Sequence, residues 1–104
     1  MDDELKKALS FHQANQLEEA KKLYLKILNK KPDDAGIIQL LGVLYLQKEN
    51  FKLSRKYLEE SFKLDPDNPA IINNLGNLEK REKNYLKAKE YFQQNIEKNN
   101  FLSS

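Results

Sequence analysis

The chain has 104 residues, 18 basic and 16 acidic side chains, a formal charge of +2 and no cysteine. That length sets a single domain. The missing cysteines remove disulfides and thiolate metal sites, and no apolar run is long enough for a transmembrane helix. Charges of both signs are interspersed, which reads as a mixed, solvated surface and against a nucleic-acid partner. Arg55 and Arg81 are the sole arginines, whereas phosphate recognition favours several guanidinium forks. Met1-Asp2-Asp3-Glu4 does not read as a signal peptide, so the expectation is a cytoplasmic protein or a fragment of a larger chain.

In chain order, the first helix carries Ala8 and Phe11, and a second carries the stripe Leu17, Ala20, Leu23-Tyr24 and Ile27-Leu28. Pro32 closes this pair, and Asp33-Asp34 are placed to cap a third helix from Ala35, with Leu41-Gly42 and Tyr45 inside it. Asn50 reads as the N-cap of a fourth helix, whose stripe is Phe51, Tyr57-Leu58 and Phe62. Pro66 and Pro69 flank Asp67-Asn68, so one helix stops before Pro66 and the next restarts at Pro69 with Asn68 as its cap. Leu75-Gly76 fall in the fifth helix; Asn84 reads as the cap of the sixth, which carries Tyr85, Ala88 and Phe92. No stretch alternates as a strand does.

These elements repeat at a fixed offset. Pro32 and Pro66 are 34 residues apart, and the same offset aligns Ala8 with Gly42 and Gly76. It also aligns Leu17 with Phe51 and Tyr85, Ala20 with Ser54 and Ala88, and Tyr24 with Leu58 and Phe92. A period in this range marks a solenoid, in which each unit buries its apolar face only against its neighbours. Glycine inside a helix costs about 1 kcal/mol relative to alanine, so the small residues at 8, 42 and 76 point to close helix approach.

The pattern Leu41-Gly42, Tyr45, Phe51, Ser54, Leu58, Ser61 and Pro66, with its copies before and after, resembles the tetratricopeptide (TPR) repeat family. The resemblance implies an all-α fold: an α-solenoid of three helix–turn–helix repeats at 1–34, 35–68 and 69–102, with six antiparallel helices in a right-handed superhelix. It also implies that the first helix of each repeat lines a concave face through its second, fifth, ninth, twelfth and thirteenth positions. Here those are Asp2, Leu5, Leu9, His12 and Gln13, then Gly36, Gln39, Val43, Leu46 and Gln47, then Ala70, Asn73, Asn77, Lys80 and Arg81. The expected wall runs from apolar to amide and basic.

Some members of that family grip the C-terminal carboxylate of chaperones with a clamp of Lys, Asn and Arg. The matching positions here hold Leu5, Leu9, Leu40, Ala70 and Asn74, without a cation among them, which argues against that ligand. Asn73-Asn74-Leu75-Gly76-Asn77 is similar to the Asn-Leu-Gly-Asn run in repeats of O-linked N-acetylglucosamine transferases, where stacked asparagines bond to a peptide backbone. An amide can both donate to C=O and accept from N–H, which suits that role. One repeat carries the run.

Enzyme signatures are missing. There is no Gly-rich phosphate loop, and the single histidine, His12, is expected as a solvated residue of the inner face. The pairs Glu18-Glu19 and Glu59-Glu60 are expected as solvated outer-face charge. No catalysis, cofactor or metal is anticipated. In the last repeat Glu79 replaces Phe11 and Tyr45, Asn95 replaces Ile27 and Ser61, and Asn100 replaces the closing proline, as expected of a polar cap. Phe92, Ile96, Phe101 and Leu102 nevertheless stay apolar without a following repeat. Either the tail folds back over the last helix, or another copy covers it, or the next helix belongs to a longer chain. The expected function is protein–protein interaction, with a peptide or helix docked in the concave groove. The alternatives are weak homodimeric self-assembly through the C-terminal end, or a targeting domain of a larger enzyme.

Overall fold

The computed structural model describes residues 3–103, with side chains for 3–98. Six helices follow one another: α1 (Asp3–Gln13), α2 (Leu17–Lys30), α3 (Ala35–Gln47), α4 (Phe51–Leu64), α5 (Pro69–Arg81) and α6 (Tyr85–Ser103). Among the described residues there is no strand. The closest packing is within the pairs α1/α2, α3/α4 and α5/α6, with α2 against α3 and α4 against α5 joining the pairs into a stack.

The caps expected at three helix starts form. Asp34 accepts from the Ile37 N–H (3.1 Å), Asn50 from Leu53 (3.2 Å) and Asn68 from Ala70 (2.9 Å). Asn84 differs, because its side-chain amide donates to Glu79 Oε1 at 3.0 Å.

The turn inside each pair is one motif used three times. Asn15, Glu49 and Lys83 have φ of 61°, 60° and 66°, again 34 residues apart. In each turn that residue's N–H bonds to the carbonyl three residues back, and the next N–H reaches five residues back. These bonds run from Asn15 to His12 and Gln16 to Phe11, Glu49 to Leu46 and Asn50 to Tyr45, and Lys83 to Lys80 and Asn84 to Glu79. This is the Schellman arrangement, which satisfies the last carbonyls of one helix while reversing the chain.

Two apolar clusters form the core. Ala8, Ala20, Tyr24, Ile27, Ile37, Leu41 and Leu44 build the first, and Leu46, Leu58, Ile71, Leu75 and Leu78 the second. A Cβ on Gly42 would lie 2.6 Å from Leu58 Cγ, and one on Gly76 would lie 2.5 Å from the Phe92 ring. Close approach within a pair therefore accounts for the glycine at both positions. Ser54, fully buried, donates to the Gly42 carbonyl at 2.8 Å and adds a polar tie across the same contact.

Candidate functional site

The first helices of the pairs, α1, α3 and α5, carry the residues expected to line an inner wall. Register aligns Leu5, Gln39 and Asn73 in one row and Leu9, Val43 and Asn77 in a second. Leu5, Leu9, Gln39, Val43 and Asn77 are half-buried, and Asn73 is exposed. Leu5 and Leu40 also pack on the first core cluster. The wall thus changes from aliphatic on α1 to amide on α5.

Two side-chain hydrogen bonds tie the wall across pairs. His12 Nδ1 accepts from the Tyr24 hydroxyl at 2.8 Å, and its Nε2 donates to Gln47 Oε1. Asn74 donates to Gln39 Oε1 at 2.9 Å. His12 was expected as a solvated residue; instead it is half-buried and links α1 and α2 to α3, its ring edge-on to Tyr24 at 5.6 Å. Tyr24 is wholly buried, and burial pushes its hydroxyl up to about 12.

Three of the expected wall residues lie elsewhere. Leu46, 8% exposed, belongs to the second core cluster, because Ile71, Leu75 and Leu78 of α5 cover it. Lys80, its equivalent one repeat later, instead borders a furrow between α5 and α6 that no described helix covers. Arg81 reaches back to the preceding pair: its guanidinium lies 5.6 Å from the Phe51 ring centroid and 3.4 Å from Glu49. Asp2 lies outside the described residues.

Glu79, expected as part of a solvated polar cap, is instead fully buried. Arg55 of α4 closes on it with two parallel hydrogen bonds, and also reaches Glu82 at 2.7 Å and Glu59 at 3.4 Å. Arg55 first and Asn84 second hold the Glu79 carboxyl below the usual range, against the effect of burial. The same network raises Arg55 further. Asn95, the other expected cap residue, donates to the Pro69 carbonyl at 2.9 Å and ties α6 to the start of α5. Glu18 stays exposed but pairs with Lys48, just past the end of α3, and with Lys21, which together bring it down to about 2.

At the C-terminal end, Phe92 packs on Gly76 and is half-buried, while Ile96 is 52% and Tyr85 63% exposed. The side chains of Phe101 and Leu102 lie outside the described residues. Helix α6 continues to Ser103, so the backbone does not fold back over its own end. Among the described residues, no group of three or more His, Asp or Glu side chains is placed to share a metal ion. No described helix is long and apolar enough to cross a membrane.

Comparison with known structures agrees with this fold. The chain superimposes on MamA from Desulfovibrio magneticus RS-1 with a TM-score of 0.88 at 22% identity, over 97% of this chain and 57% of that one. The first TPR domain of Spaghetti (RPAP3), bound to the HSP90 peptide SRMEEVD, gives 0.83 at 14% identity, over 91% of this chain and 75% of that one. PilF from Pseudomonas aeruginosa gives 0.77 at 20% identity, over 91% of this chain and 44% of that one. The chain therefore spans little more than half of the MamA structure it matches. No curated protein sequence matches it significantly. The family model described as tetratricopeptide repeat matches residues 35–68 and 69–97, more than half of the chain. On those matches and the repeated helix pairs, the chain belongs to the tetratricopeptide repeat family.

Proposed function

We propose that the chain is a protein–protein interaction module that holds a segment of a partner, extended or helical, on the wall of α1, α3 and α5. The observation that carries this reading is the pair of register rows, aliphatic at Leu5, Leu9 and Val43 and amide at Gln39, Asn73 and Asn77. Aliphatic positions anchor apolar side chains of a ligand, and amides bond to its backbone without demanding one sequence. The reading treats α1 and α2 as a third repeat, since the small residue at 8 and the left-handed residue at 15 keep the register of the other two. It is a non-catalytic reading, without a nucleic-acid or membrane partner, and it places the domain in the cytoplasm.

The RPAP3 domain is bound to the HSP90 peptide SRMEEVD. This wall differs in kind. Leu5, Leu9, Leu40, Ala70 and Asn74 offer no cation for a terminal carboxylate, so the proposed ligand is an internal segment with apolar anchors. Selection from a displayed peptide library tests this. Binders should be lost with Val43→Glu and weakened with Asn77→Ala, and should be unaffected by Lys63→Ala on α4. Selected peptides that ignore both wall substitutions would refute the reading.

A second reading, self-association through the C-terminal end, draws on the exposure of Tyr85, Leu86 and Ile96. A sedimentation series reads it directly, as mass that rises with concentration and falls back with Ile96→Lys.

A further inference from the structure

The furrow at the C-terminal end is lined by Lys80, Tyr85, Ala88, Lys89, Phe92, Gln93 and Ile96. Shifted back by one period, these are Leu46, Phe51, Ser54, Arg55, Leu58, Glu59 and Phe62. Of these, Leu46, Phe51, Leu58 and Phe62 pack with Ile71, Leu75 and Leu78 of α5 in the second core cluster. The furrow is thus a further copy of the seat that α5 fills in the middle of the stack, and the molecule itself displays what such a seat takes.

Both internal seats are filled by the same pattern. Ile37, Leu41 and Leu44 fill the first and Ile71, Leu75 and Leu78 the second, with apolar residues at i, i+4 and i+7. The residue at i+8 is Tyr45 in the first seat and Glu79 in the second. In the second seat Glu79 pairs with Arg55. In the open seat the corresponding cation is Lys89, joined by Lys80 where Leu46 stood, and none of the described residues lining the furrow is a carboxylate.

Second copies fit this seat poorly. The positions of α1 that would enter it head-to-tail are Asp3, Lys7 and Ser10, all exposed and polar. Joining like ends would set Lys80 and Lys89 against their own equivalents, which is unfavourable. We propose that the C-terminal end of the stack is a second docking surface, separate from the inner wall. It takes an amphipathic partner helix with apolar residues at i, i+4 and i+7 and a carboxylate at i+8. Helix-in-groove recognition uses such anchors, and the carboxylate gives the site its sign.

A helix-stapled synthetic peptide with Ile at i, Leu at i+4 and i+7 and Glu at i+8 is the probe, read by fluorescence anisotropy against the full chain. Binding should weaken at least about tenfold with Ile96→Lys, and by a similar factor when the peptide's Glu becomes Lys. Lys89→Glu should reverse that preference, a swap that a merely unfolded variant cannot produce. Asn77→Ala on the inner wall should leave this affinity unchanged, so the two surfaces are tested separately. Absence of peptide binding to the wild-type chain would overturn the proposal. So would an unchanged preference in Lys89→Glu, a wild-type dimer that buries Ile96 and excludes the peptide, or a longer form of the chain whose own next helix fills the seat and blocks the peptide.

Discussion

Arg55 on α4 grips Glu79 on α5 through Nη1–Oε2 at 2.9 Å and Nη2–Oε1 at 3.0 Å, around a carboxylate with no solvent exposure. A buried carboxylate stripped of its cation is strongly destabilising, whereas replacing the whole pair by apolar groups is often neutral. Arg55→Ala should therefore cost about 3 kcal/mol in chemical denaturation. Because Phe11 and Tyr45 occupy the Glu79 position in the other pairs, adding Glu79→Tyr should recover most of that loss. Equal stability of wild type and Arg55→Ala would show that the pair contributes nothing.

The acid limb of stability follows from the same contacts. Arg55 lowers Glu79, Lys30 and Lys26 lower Glu4, and Lys48 with Lys21 bring Glu18 to about 2. A carboxyl whose folded pKa lies below its unfolded value adds stability that is present above the ordinary value of 4.5 and lost as pH falls through the folded pKa. The chain should be fully stable at neutral pH and lose stability between about pH 4.5 and pH 2. Salt should blunt the contribution of the exposed Glu18 more than that of the buried Glu79. At the other extreme Tyr24, raised to about 12, favours the fold below its ordinary value of 10.0, and this contribution is lost as pH rises through 12. Thermal melts across pH, with carboxyl titration by NMR, check both limbs.

Gly42 and Gly76 hold equivalent positions but face different neighbours. A Cβ on Gly42 meets Leu58 at Cγ and Cδ2, 2.6 Å away, and its backbone N at 3.2 Å, and Leu58 is fully buried. On Gly76 it meets the Phe92 ring, which borders the open furrow and has room to turn. Gly42→Ala should therefore cost about 1–3 kcal/mol through overpacking. Gly76→Ala should cost less, because alanine's helix preference of about 1 kcal/mol offsets a contact that can relax. Melting temperatures in the reverse order would contradict this.

Lys83 holds a left-handed conformation, φ 66°, at the turn between α5 and α6. L-residues with a Cβ are disfavoured there by about 1–2 kcal/mol, and glycine is not. Lys83→Gly should stabilise by about 0.5–1 kcal/mol after its larger loss of chain entropy. Asn15→Gly should change little, since Asn visits this region readily. A lower melting temperature for Lys83→Gly would show that the lysine makes a contact outweighing its strain.

Most of the fold was legible because its signals are local and repeated. Asp34, Asn50 and Asn68 cap their helices, and the small residues at 8, 42 and 76 sit where helices touch. The shared conformation of Asn15, Glu49 and Lys83 was hidden, because three unlike side chains occupy one backbone state. The candidate site was less legible. Family positions gave the rows on α1, α3 and α5, but whether a wall position is covered depends on the next helix. That decides Leu46 and Lys80 in opposite senses. His12 and Glu79 were misread as solvated because each is satisfied by a partner on another helix. The clue for Glu79 was a double departure: an acid where Tyr45 stood, and an arginine at 55 where Lys21 stood.

The most direct test of the inner wall as the partner-binding surface is amide chemical-shift mapping of the labelled chain, titrated with a library-selected peptide. The account predicts shifts concentrated at Leu9, Val43, Asn73 and Asn77, with Lys52, Lys56 and Lys63 on α4 unmoved. Shifts confined to α2, α4 and α6, with the α1, α3 and α5 wall silent, would contradict it.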